Sequence, residues 1–224
     1  MQFLKSGLLA GTLLATALCL SAQEPRVVQG IPPRVAPTEY QAQGRAGQVS
    51  FGAEFEGHGV QTTADSTFNS EEYVVVEVGI FGAAGSKIAL SPDDFSLRVN
   101  GKKAALPSQP YGLVVKSLKN PEWEASVAVE KLQKSKTSIG GDGGGGGGGG
   151  GGQDNTPPPA PKMPIEVRRA MELKVQKASL PEGERALPLA GLLYFQYSGK
   201  VKGMKSVELV YKGPAGTATI PLQP

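Results

Sequence analysis

The sequence predicts a mainly β fold, an antiparallel β-sandwich or barrel, and three observations predict it. Apolar and polar residues alternate through "VSFGAEFE", residues 49–56, as they do in a half-buried strand. "EYVVVEVGIF", residues 72–81, sets Val74, Val76, Val78 and Ile80 on one face and Tyr73, Val75 and Phe81 on the other. That is the pattern of a central strand covered on both sides. Turn signals recur between short apolar runs, Asn100-Gly101 being the strongest two-residue hairpin signal. Together they predict roughly eight or nine short strands.

The elements follow in chain order. Residues 1–22 read as a secretory signal peptide: Lys5 precedes the apolar run Leu8 to Leu20, and Ala22 offers a small residue before a cut. The run is too short to span a bilayer. Leu18 before Cys19 departs from the small residue that a lipoprotein cleavage site needs. The chain is therefore expected to be exported, to the periplasm or the extracellular space. Cys19, the single cysteine, leaves with the signal, so no disulfide or thiol chemistry is expected. Residues 23–47, rich in Pro, Gly and Gln, read as an extended lead-in with little regular structure.

One domain is expected over 48–224. After the strands at 49–56 and 73–81, "SPDD" predicts a turn and Phe95, Leu97 and Val99 alternate as a strand. "YGLVVKSL", residues 111–118, reads as a further strand, and "EWEASVAVEKLQK", residues 122–134, fits helix or strand. A low-complexity insertion at 134–164 interrupts the series, with unbroken glycine from Gly143 to Gly152. Such a run buries nothing and loses the most backbone entropy on ordering, so a disordered spacer is expected. Residues 165–178 are apolar at odd positions from Ile165 to Val175 except Arg169, as a strand would be, but their helix formers and Pro164 near the start favour a short helix. "LLYFQY", "SVELVY" and "TATIPL" close the chain as strands. Three strands make a poor core alone, so strands on both sides of the insertion should share one.

The chemistry is sparse. Gly79, Gly82 and Gly85 lack the spacing of a dinucleotide loop, and no helix fits after them. Gly101-Lys102 and Gly199-Lys200 lack the rest of a phosphate loop. His58, the one histidine, reads as a solvated turn residue between Gly57 and Gly59, with no set of partners for a metal or a triad. Asp93 and Asp94 are expected to form a turn and not a calcium site. Glu122 and Glu124 lie too close in sequence, beside Trp123, to flank a glycosidic bond. No catalytic residue, cofactor or metal is expected, and no nucleic-acid partner.

The remaining signal is "LLYFQYSGKVKGMK". Tyr194 and Tyr197 lie near Lys200, Lys202 and Lys205, and residues 162–224 carry 10 basic against 5 acidic side chains. These five residues are candidates for binding an anionic glycan by ring stacking and charge. The competing expectation puts the rings in the core and the lysines along an edge as protection against aggregation.

"EYVVVEVGIF", "DFSLRVNGKKAAL", "SLPEGERALPLAGLLYFQY" and "SVELVY" together resemble exported bacterial immunoglobulin-like domains of unknown function. The resemblance covers 48–132 and 179–224 and rests on Leu180, Pro181, Gly183, Glu184, Gly191, Leu192 and Phe195. It implies an immunoglobulin-like sandwich, export and no catalytic residues. The insertion, the helix and the missing cysteine pair depart from it. The sequence thus points to a non-catalytic envelope or secreted interaction module presenting sheet edges and loops to a protein partner, or to a binder of anionic glycans or other envelope polymers through residues 194–205.

Overall fold

A computed structural model describes residues 29–63, 66–137 and 162–224. The expected signal peptide and most of the expected insertion lie outside these residues. The described chain is mainly β, and every paired ladder is antiparallel.

The segment expected as a plain lead-in is built into the sheet. After a 3-10 turn at Pro37–Glu39, β1 (Ala42–Ala46) pairs with β2 (Val49–Gly57). The chain then forms β3 (Gly59–Thr63), β4 (Ser66–Ser70) and the long β5 (Tyr73–Phe81). Gly82 to Gly85 make the turn into β6 (Lys87–Leu90), with no helix after it. "SPDD" is a 3-10 turn, in which the Ser91 amide donates to Asp94 Oδ2 at 3.1 Å. β7 (Phe95–Val99) and β8 (Leu106–Gln109) follow.

Residues 111–118, expected as a strand, fold instead as α1 (Tyr111–Ser117) leading into β9 (Leu118–Lys119). The reason is tertiary. Helical spacing turns Val114, Val115 and Leu118 together onto the outer face of the sheet, and all three are buried. The open reading at 122–134 resolves as helix, within α2 (Pro121–Thr137). The expected helix is α3 (Ile165–Ala178), burying Met171, Val175 and Ala178. β10 (Gly183–Ala186), β11 (Leu189–Gln196), β12 (Val207–Gly213) and β13 (Gly216–Leu222) complete the chain.

Eight strands join in one sheet, ordered β1-β2-β5-β11-β8-β7-β12-β13. It curls into a near-barrel, and its two end strands meet. Gly44 of β1 lies so close to Ile220 of β13 that a Cβ there would sit 2.5 Å from Ile220 Cγ1. Gln41 and Gln223 exchange hydrogen bonds of 3.1 and 3.2 Å across the same junction. The inside holds the main core, where the rings of Phe51, Phe95 and Tyr211 pack edge-on or tilted with centroids 4.7 to 6.4 Å apart. A second core covers the outer face of β5 and β11, where α1, α3, β3 and β4 bring Val114, Val175, Val60 and Phe68 onto Val75, Leu192 and Tyr194.

Beyond this second core, Gly52 and Gly79 are cross-strand partners, and Tyr40 lies flat over both. A methyl group at either glycine would come within 3 Å of the ring, so the glycines make the seat for Tyr40. Gly191 serves a similar close approach, with the Leu180 backbone taking the space of a side chain.

Two outcomes check this packing. Gly191→Ala drives a Cβ into backbone that cannot rotate away, and should destabilise by about 1–3 kcal/mol in urea titration. Gly112→Ala, inside α1 with open space around it, should be neutral or stabilise by up to ~1 kcal/mol. Because β11 lies between β5 and β8, strands from both sides of the glycine run share one core. A protease site engineered among Gly143 to Gly152 and then cut should leave one particle of full size on gel filtration. Separate elution of two folded fragments would refute the shared core.

Candidate functional site

The five residues singled out in the sequence divide in the structure. Tyr194 is only 1% exposed and lies in the second core. Its hydroxyl sits 3.1 Å from Ser179 Oγ, and burial pushes the phenol well above its ordinary range. It offers no face to a ligand, which corrects the expectation for that residue. Tyr197 is half-buried against the main core, and Gly199 sits on its ring so tightly that a Cβ would lie 2.6 Å from the hydroxyl oxygen. The stacking platform expected from Tyr194 and Tyr197 is therefore taken up by packing.

Lys200, Lys202 and Lys205 are all exposed, around a 3-10 turn at Val201–Gly203. Met204 anchors the turn by burying its side chain in the main core. Asn100, from the turn after β7, holds it from the side. Asn100 Oδ1 accepts from the Lys205 amide at 2.6 Å and the Ser206 amide at 3.3 Å, and Nδ2 donates to the Gly203 carbonyl at 3.2 Å. The Asn100 amide donates in turn to the Ser206 carbonyl at 2.8 Å. Asn100 takes φ +53°, a left-handed conformation that asparagine tolerates better than most residues.

His58 braces the other side. Its Nδ1 lies 2.8 Å from the Tyr73 carbonyl oxygen and its Nε2 2.9 Å from that of Gly199. The ring is half-buried and bonded at both nitrogens, so the solvated turn residue expected from the sequence is corrected to a structural tie. A neutral imidazole donates to one such acceptor and the imidazolium to both. Neither nitrogen points to a space where a substrate could sit.

The most concentrated polar cluster lies elsewhere, over the Tyr40 seat, and sequence reading missed it. The Arg34 guanidinium stacks 4.4 Å from the Tyr40 ring centroid and forms ion pairs with Glu54 and, at 3.3 Å, Glu77. Burial alone would lower the Arg34 pKa, but Glu77 and then Glu54 offset it and leave it raised. Glu54 and Glu77 are cross-strand partners, so the arginine relieves a like-charge contact. Glu56, the extra residue of a bulge in β2, carries a raised pKa, chiefly from burial and then from the charges of Glu54 and Glu77. Arg34 binds the N-terminal strap to the sheet and is itself fully engaged.

Other candidates hold structural posts. Asp93 and Asp94 sit in the capped 3-10 turn. Glu122 and Glu124 stand in the first turn of α2, where Asn120 Oδ1 accepts the Glu122 amide at 3.0 Å. Among the described residues, no three His, Cys, Asp or Glu side chains gather as a metal site. Among the same residues, no helix is long and apolar enough to cross a membrane. No protein-family model, curated protein or solved structure matches this chain.

The raised Glu56 pKa has a definite sign. The fold favours its protonated form, so stability is lost as pH rises through the ordinary glutamate range toward the raised value. Glu56→Gln should therefore melt higher than the parent at neutral pH, with the gap closing below the ordinary glutamate pKa. A gap of constant size across the pH range would show that charge is not its source.

Proposed function

We propose that this chain is an exported, non-catalytic interaction module, immunoglobulin-like in class, whose ligand is an anionic envelope polymer bound at Lys200, Lys202 and Lys205. One observation carries the reading. The turn between Tyr197 and Val207 presents three exposed lysines, contains no acidic residue, and is fixed in shape by Met204, Asn100 and His58. A lysine row that served only to protect a strand edge would need no such bracing.

The geometry also bears on how the module presents itself. The end strands of the large sheet face one another, so loops are better placed than those edges to meet a partner. With its aromatic rings packed away, the site attracts by charge, and such attraction weakens as salt screens it. Binding of the full chain to a carboxylated polysaccharide should therefore fall steeply between low and physiological ionic strength. The Lys200→Ala, Lys202→Ala, Lys205→Ala triple variant should bind weakly at both. Binding that is indifferent to salt, or unaltered in the triple variant, would refute the proposal.

A further inference from the structure

We propose that the binding surface is a two-turn platform of five lysines, in which Lys102 and Lys103 join Lys200, Lys202 and Lys205 to hold an acidic polysaccharide. This rests on the reading of Lys200, Lys202 and Lys205 just given and extends it to a second segment of chain. The antiparallel register pairs Val99 with Val207, so the turn leaving β7 and the turn entering β12 stand at the same end of the sheet. Asn100 fastens one to the other through its hydrogen bonds to Gly203, Lys205 and Ser206. Lys102 and Lys103 follow directly, and both are exposed. Neither turn contains an acidic residue. Of the acids on neighbouring elements, Glu208 is paired with Arg98 at 2.8 Å and Glu71 with Lys119 at 2.6 Å. Glu72, whose carbonyl accepts the Tyr197 amide at 2.7 Å, is exposed and leaves the five lysines in clear excess.

The class of ligand follows from what accompanies the charge. The large exposed apolar side chains among the described residues are Val35, Leu113, Val129, Ile165 and Leu173, and none lies on these turns. A surface that enters a lipid interface needs such side chains to insert. Single-stranded nucleic acid is held by stacked rings as well as by charge, and here the Tyr197 ring is half-buried with its hydroxyl end against Gly199. Charge without apolar or aromatic contacts fits a hydrated chain of repeating carboxylates or sulfates. Asn100 is the positioning residue: it carries no charge but sets the two lysine groups side by side.

The test is binding of the full chain to polygalacturonate and to a sulfated dextran at low salt, with neutral dextran and anionic phospholipid vesicles as comparisons. Lys102→Ala with Lys103→Ala should weaken polysaccharide binding by up to about fivefold for each lysine removed, the upper end for an exposed ion pair. Asn100→Gly keeps a residue suited to φ +53° and the same net charge but loses the side-chain bonds, and should also weaken binding. If the triple variant at 200, 202 and 205 loses binding while these two do not, the single-turn site stands and the platform is overturned. If none of the three variants changes binding, both fall. Binding to vesicles without binding to either acidic polysaccharide overturns the ligand class.

Discussion

From Leu189 against Ile80 to Gln196 against Tyr73, β11 and β5 pair without a break, and both strands are buried on both faces. Strands buried in this way must be apolar on alternate and intervening positions alike, and the valines and leucines of these two segments supply that. The rest of the molecule is arranged to cover them. On the inside, β7, β12 and β13 curl round to close the main core. On the outside, Val75, Leu192 and Tyr194 need a lid, and α1 and α3 provide it from distant parts of the sequence. Further along the same face β5 carries Glu77 and Gly79, so apolar cover gives way to Tyr40, seated on glycine and topped by Arg34. One ladder thus dictates two different coverings, one apolar and one built on an ion pair.

How far this could be read in advance depends on whether the deciding contact was local. β5 was legible because both of its apolar faces lie within nine residues of sequence, and α3 because its helix formers follow Pro164. Residues 111–118 misled because adjacent valines favour strand locally. What decides there is the need to cover Val75 and Tyr194, which a sequence scan cannot see. Tyr40 was hidden by the prolines around it. Its seat exists only because Gly52 falls opposite Gly79, a fact of register. The site divided on the same line. Lys200, Lys202 and Lys205 stand together in sequence and remain together in space, whereas the nearness of Lys102 and Lys103 to them follows from the pairing of β7 with β12. Tyr194 failed as a site residue because an aromatic beside lysines has the same sequence signature whether it faces solvent or core.

The bulge in β2 links the large sheet to the lysine-bearing turn. Phe55 pairs with Val76 and Gly57 with Val75, which leaves Glu56 as the extra residue, and Gly57 turns the chain with φ +60°. Without the extra residue the strand would continue along β5. With it, the chain leaves the large sheet, crosses to the outer face as β3, and buries Val60 in the second core. His58 falls at the crossing and is carried between the carbonyl oxygens of Tyr73 and Gly199. The same irregularity therefore closes the outer core and braces the base of the lysine-bearing turn. It places Glu56 near Glu54 and Glu77 in partly buried surroundings, where its charge is disfavoured. The bulge also sets the one histidine against the loop whose exposed charge carries the proposed function.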